Sequence, residues 1–188
     1  MSNNERDAVI VDVVRTTLGK RGGALSHWHP VDLLGFALTT LVGRTGIDPE
    51  TVDDVIGGCV TQSGEQGTNV TRNGWVAAGL PQNVPATTVD RQCGSSQQAM
   101  HFAAAGVKAG HYDLVVACGV ESMSRAPMAS NARGGTGPFP AAFLEAIDGR
   151  LWAQFRVAQV LADRWGVSRE EMDQYALESH RRAVASWD

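Results

Sequence analysis

Of the three cysteines in the chain, Cys93 is the one whose surroundings could make it a nucleophile. It comes just after a short β-branched run, Ala86 to Asp90. It also opens a stretch of small residues, Gly94, Ser95, Ser96, Ala99, Ala103, Ala104, Ala105 and Gly106, which reads as a helix that can be buried closely. A thiol in the first turn of a helix feels the positive end of the macrodipole and nearby N–H groups. Its thiolate should therefore be stabilised and its pKa depressed. That prepares a nucleophile without a metal. Simple packing, the usual fate of a reduced cysteine, is also compatible with this placement.

The other chemistry-bearing residues offer less. Cys59 and Cys118 lie inside the apolar runs Ile56-Gly57-Gly58-Cys59-Val60 and Val115-Val116-Ala117-Cys118, where packing is the expected role. No two cysteines form C-x-x-C, so each is expected as a thiol and not as half of a disulfide or part of a zinc cluster. His27, His29, His101, His111 and His180 read as surface or packing residues. His101 stands eight residues along the helix from Cys93, about 12 Å away at the helical rise. The run Gly134 to Gly137 lacks the Lys-Ser or Lys-Thr of a phosphate loop and reads as a flexible connection.

The elements that must position Cys93 follow from the apolar pattern. Four segments read as strands: Ala8 to Val14, Asp54 to Val60, Ala86 to Asp90 and Asp113 to Val120. The first and last are near-continuous apolar runs, as expected for strands covered on both faces of a parallel sheet. Between the first two, Asp32 is a plausible N-cap for a helix carrying Leu33, Leu34, Ala37, Leu38, Leu41 and Val42, with Gly43 and Gly46 near its stop. Further helices are expected from Asn69 to Ala78, closed by Gly79-Leu80-Pro81, and from Cys93 to about Lys108, closed by Gly110. The order is βαβαβαβ, an α/β layered domain with a mainly parallel sheet.

After Val120 the chain turns to Gly and Pro without a period. A boundary is therefore expected at residue 122, with one domain over 1–122 and a second over 123–188. The second should hold a helix over Phe155 to Trp165. It should hold another starting at the capping box Ser168-Arg169-Glu170-Glu171, with Met172, Tyr175 and Ala176 inward.

Composition narrows the partners. With 188 residues, 43% hydrophobic and 19% charged, the chain reads as a soluble globular protein. A net charge of -4 and pI of about 5.7 leave no basic stripe for nucleic acid or an anionic membrane surface. No apolar stretch approaches the roughly 18 residues that span a bilayer. The polar start Met1 to Asp7 lacks the apolar core of a secretory signal, so a cytoplasmic address is expected.

The segment Val89-Asp90-Arg91-Gln92-Cys93-Gly94-Ser95-Ser96-Gln97-Gln98-Ala99, followed by Cys118-Gly119-Val120-Glu121-Ser122-Met123-Ser124, resembles the thiolase family in both motif and order. Val14-Arg15-Thr16 with Gly19-Lys20 agrees. So do Gly57-Gly58-Cys59-Val60, Gly64-Glu65-Gln66-Gly67 with Asn69 and Arg72, and Ala78-Gly79-Leu80-Pro81. The tail is similar to the helical loop domain that thiolases insert after this strand.

The resemblance implies CoA-dependent cleavage of a 3-ketoacyl-CoA to acetyl-CoA and a shortened acyl-CoA, or Claisen condensation in reverse. Cys93 would be the acyl-accepting nucleophile, and its backbone N–H part of an oxyanion hole. No resident cofactor is implied, since coenzyme A enters as substrate. The family also needs a His from G-H-P, a second Cys from C-x-G-G-G and an Asn from N-E-A-F, and these segments do not occur in the sequence. The chain is thus expected to be an N-terminal portion that lacks the fifth strand of its half and is inactive alone. It would be completed by a C-terminal half or partner chain and would belong to a homo-oligomer.

At the place where many thiolases carry His-Met-Gly, the chain has Ala153-Gln154-Phe155. This is similar to actinobacterial thiolases that act on bulky steroid side-chain CoA esters, and it implies that Gln154 and Phe155 contact CoA. Helix start and core filling are the plainer roles for the same pair. Glu121, Met123 and Ser124 would support the loop domain and subunit contacts. Two rivals stand beside this reading: a β-ketoacyl synthase, with the same fold and a Cys at the same helix start, and a non-catalytic thiolase-like subunit of a complex.

Overall fold

The computed structural model describes residues 6–151 and 153–187. The polar start Met1 to Glu5, part of the segment read above as lacking a secretory leader, lies outside the described residues. Two compact units are present, Met1–Arg133 and Gly134–Asp188.

The first unit runs α1 (Pro30–Thr45), β1 (Asp54–Gly58), α2 (Val70–Ala77), β2 (Ala86–Val89), α3 (Ser95–Ala109) and β3 (Val115–Gly119). Its sheet has the order β2-β1-β3 with both pairings parallel, in register Val55 to Ala86 and Asp54 to Val115. Alternation along β1 sends successive side chains to opposite faces. Val55 joins Leu34, Leu38, Val52, Trp75, Val84 and Val116 in a core under α1 and α2. Ile56 joins Ala99 and Ala103 of α3. The domain is therefore a helix–sheet–helix sandwich with α3 on its own face.

Trp75 anchors the α1–α2 face. It is fully buried, and its indole Nε1 donates to the Pro81 carbonyl at 2.7 Å. Asn69 caps α2 from the left-handed region. Its Oδ1 accepts from the Arg72 N–H and the Thr88 hydroxyl, and its Nδ2 donates to the Ala86 carbonyl. Arg72 donates to the Val84 and Gln82 carbonyls, which fixes the lead-in to β2. The pair Asn69 and Arg72 thus ties α2 to the strand that precedes Cys93.

Several expectations need correction. The segment Ala8 to Val14 forms no strand, and Val9, Ile10, Val11 and Val13 are exposed. It is tethered by Arg6 to Asp113, by Arg44 to Asp12 and the Val13 carbonyl, and further on by the Gly22 N–H to Ser124 Oγ. An apolar pattern shows that a segment suits a covered sheet, but it does not specify ladder bonds, and this segment makes none with β2 or β3, whose outer edges have no strand partner among the described residues. Helix α1 starts two residues before Asp32, because Pro30 suits the first helical position and His29 Nδ1 accepts the Val31 N–H. Cys59 comes just after β1, where its N–H donates to the Val89 carbonyl.

The second unit contains α4 (Ala141–Ala146), α5 (Gln154–Trp165) and α6 (Arg169–Ala185). The capping box at Ser168 and Glu171 forms as the sequence predicts. Met172, Tyr175 and Ala176 are exposed, not inward, as are Val160, Leu161 and Trp165 of α5. Helical spacing tells which face wants cover, and among the described residues most of that face has none. No helix among the described residues is long and apolar enough to cross a membrane.

Candidate functional site

Cys93 is exposed beyond the carboxyl end of β2, two residues before α3, which begins at Ser95 with Gly94 as its cap. The expected start at Cys93 is displaced by a tight turn over Asp90 to Cys93. Gln92 sits there at φ 48°, a left-handed conformation that a residue with a side chain adopts only when its surroundings hold it.

Those surroundings are local hydrogen bonds. Asp90 Oδ1 accepts the Gln92 N–H at 2.7 Å. The buried Ser95 hydroxyl accepts the Arg91 N–H at 2.9 Å and donates to the Gln92 carbonyl at 2.6 Å. The Gly94 N–H donates to the Arg91 carbonyl and the Ser95 N–H to the Gln92 carbonyl, closing the turn into the helix.

Two glycines let the head of α3 come down onto the sheet. A β-carbon at Gly58 of β1 would overlap the backbone of Ser95 and Ser96, and one at Gly119 of β3 would overlap the Ser96 side chain. With no such atoms present, the helix rests on the carboxyl ends of two neighbouring parallel strands. Ligands of open parallel sheets bind at that end.

Beside this seat Glu121 closes a clasp. Its carboxylate accepts the Val60 N–H at 2.8 Å, the Thr61 N–H at 3.3 Å and Gln66 Nε2 at 2.9 Å. The fully buried Gln66 in turn accepts the Ser122 N–H through Oε1 at 2.6 Å. Ser63 to Ser130, Asn131 to the Val60 carbonyl, and Arg125 to Glu65 extend the clasp along 122–132. Glu121 and Gln66 stand in two of the motif segments, but nothing in their spacing signals that they meet.

The cysteines differ as their settings require. Burial first, then the Glu121 carboxylate, pushes the Cys59 thiol up to about 12. Burial does the same at Cys118, in β3, again to about 12. Both are poor nucleophiles at neutral pH, whereas Cys93 is open to solvent. Of the histidines, His29 caps α1 with Nε2 3.8 Å from Glu65, and His101 is exposed on α3. An open cleft of about 470 Å³ lined by Ile56, Thr87, Val89, Phe102, His111 and Tyr112 lies along α3 toward its far end, away from Cys93. Gln154 and Phe155 open α5 in the second unit, both exposed.

Residues 8–188 match the model of the family described as thiolase, N-terminal domain. The chain belongs to the thiolase family. It is 47% identical to a steroid 3-ketoacyl-CoA thiolase of Mycobacterium tuberculosis, over 96% of this chain and 46% of that protein. It is 40% identical to a 3-ketoacyl-CoA thiolase of Chromohalobacter salexigens, over 99% and 47%. The crystal structure of an acetyl-CoA acetyltransferase from Bacillus anthracis superposes with a TM-score of 0.79 at 34% identity, covering 98% of this chain and 49% of that one. The thiolase chain described here thus spans about half the length of the relatives it matches, and its α/β fold is that of the thiolase N-terminal half.

Proposed function

We propose that this chain provides the nucleophile-bearing half of a thiolase that cleaves a 3-ketoacyl-CoA with coenzyme A. The observation that carries the reading is Cys93, exposed on a strained turn at the head of a helix seated on the carboxyl ends of a parallel sheet. The Cys93 thiolate attacks the ketone carbon. The bond between that carbon and the α-carbon breaks, acetyl-CoA leaves after its carbanion takes a proton, and the shortened acyl group stays on sulfur. A second CoA thiol then takes the acyl group and returns the thiol. The Cys93 backbone N–H is one donor to the developing oxyanion.

The remaining acid–base groups come from a C-terminal half or partner chain. Two things support this: the relatives are about twice as long, and the apolar run Val9 to Val13 is exposed and has no sheet partner among the described residues. The assembled enzyme is a homo-oligomer in the cytoplasm. A bulky, steroid-derived acyl chain is the favoured substrate class, on the 47% identity to a protein named for that substrate. Gln154 and Phe155, both exposed at the head of α5, contact CoA in this reading.

The test is complementation. The chain is incubated with acetoacetyl-CoA and CoA, alone and with a separately expressed C-terminal half of a thiolase relative. Thiolysis is expected only with the added half, and Cys93→Ala should reduce it at least roughly a thousandfold. Turnover by the chain alone would contradict the division of groups between halves. Activity surviving in Cys93→Ala would remove Cys93 as nucleophile.

A further inference from the structure

We infer that Ser95 is a positioning residue that aims Cys93, by holding Gln92 in the left-handed turn that precedes it. The inference rests on the reading of Cys93 as the nucleophile. Ser95 is buried at the base of the turn, and its single hydroxyl both accepts from the Arg91 N–H and donates to the Gln92 carbonyl. These bonds bracket Gln92 on both sides, while Asp90 Oδ1 takes the Gln92 N–H from the front. A residue with a side chain leaves φ 48° for the ordinary right-handed or extended regions unless something opposes it. Such a rotation would swing Cys93 away from the head of α3. Glycine at 92 would adopt the same φ without strain, so the bracing should become dispensable there.

This gives a test that a generally structural role of Ser95 would fail. Mass spectrometry follows the rate at which limiting iodoacetamide alkylates Cys93 in the 188-residue chain. Ser95→Ala should slow Cys93 roughly tenfold, as expected for losing two hydrogen bonds. Ser95→Thr, which keeps the hydroxyl, should stay near the original rate, and Gln92→Gly placed in the Ser95→Ala background should restore it. An unchanged rate in Ser95→Ala, or a loss that Gln92→Gly does not restore, overturns the inference. Should Ser95→Ala not fold, Asp90→Ala at an exposed position tests the same turn and must show the same loss and the same rescue. If Cys93 in the unaltered chain reacts no faster than in the urea-unfolded chain, the nucleophile reading itself fails, which is a separate outcome.

Discussion

Gly58 of β1 lies so close to Ser96 of α3 that no β-carbon fits between strand and helix. Gly119 stands against the same serine from β3, so the head of α3 is seated on two strands at once. Gly58→Ala must push α3 off this seat, at a cost of about 3 kcal/mol, the upper end of ordinary overpacking. Urea unfolding should show that loss, together with slower alkylation of Cys93. Gly57→Ala is the control, because its β-carbon meets Thr71 on the opposite face. It should destabilise comparably and leave the Cys93 rate alone. Equal Cys93 rates in Gly58→Ala and the unaltered chain would show that the seat does not place the thiol.

Thiol labelling separates the three cysteines. At pH 8 a thiol raised to about 12 is ionised to roughly one part in ten thousand, so Cys59 and Cys118 should stay unlabelled while the fold is intact. Cys93 should label first, and the other two only with unfolding. Labelling of Cys59 or Cys118 ahead of Cys93 in folded protein would reverse the assignment.

What the sequence shows and what it hides divide along physical lines. The βαβ order and the small-residue helix α3 with Cys93 near its head were legible because periodicity and glycine placement are local signals, whereas the exposure of Cys93 was not. The strand expected over Ala8 to Val14 does not form, because apolar character suits a segment to a covered sheet without specifying the ladder bonds that would pair it. The start of α3 moved from Cys93 to Ser95 through the bonds of Asp90 and Ser95, short-range contacts that no apolar pattern encodes. Glu121 meets Val60, Thr61 and Gln66 across 55 to 61 residues of chain, and only the folded sheet brings such groups together.

The Glu121 clasp should be sensitive to a change of one atom. In Glu121→Gln an amide NH2 replaces one acceptor and faces N–H donors of Val60, Thr61 and Gln66. A cost of about 2 kcal/mol is expected from the donors left unmatched. It should appear as a lower melting temperature, with faster proteolysis in 59–66 and 122–132. The Cys59 thiol should fall from about 12 only in part, since burial is the larger cause and remains. A variant as stable as the original would show that the clasp holds nothing.

Asp53 gives the pH prediction. Its exposed carboxylate accepts the Leu114 N–H at 3.0 Å and the Asp113 N–H at 2.6 Å, which fixes the entry to β3 beside β1. Those bonds, led by that from Leu114, hold its pKa below the ordinary 3.8. The folded value is therefore lower than the unfolded one. The contribution to stability is complete above the unfolded value and disappears as pH falls through the folded value. Asp53→Asn should be less stable than the unaltered chain at pH 7 by at most roughly 1 kcal/mol, because solvent screens so exposed a group. Below about pH 4 the two urea midpoints should converge, as the aspartate takes up its proton and the asparagine does not change. A gap that persists undiminished at pH 2.5 would show that the carboxylate's charge is not what fastens β3.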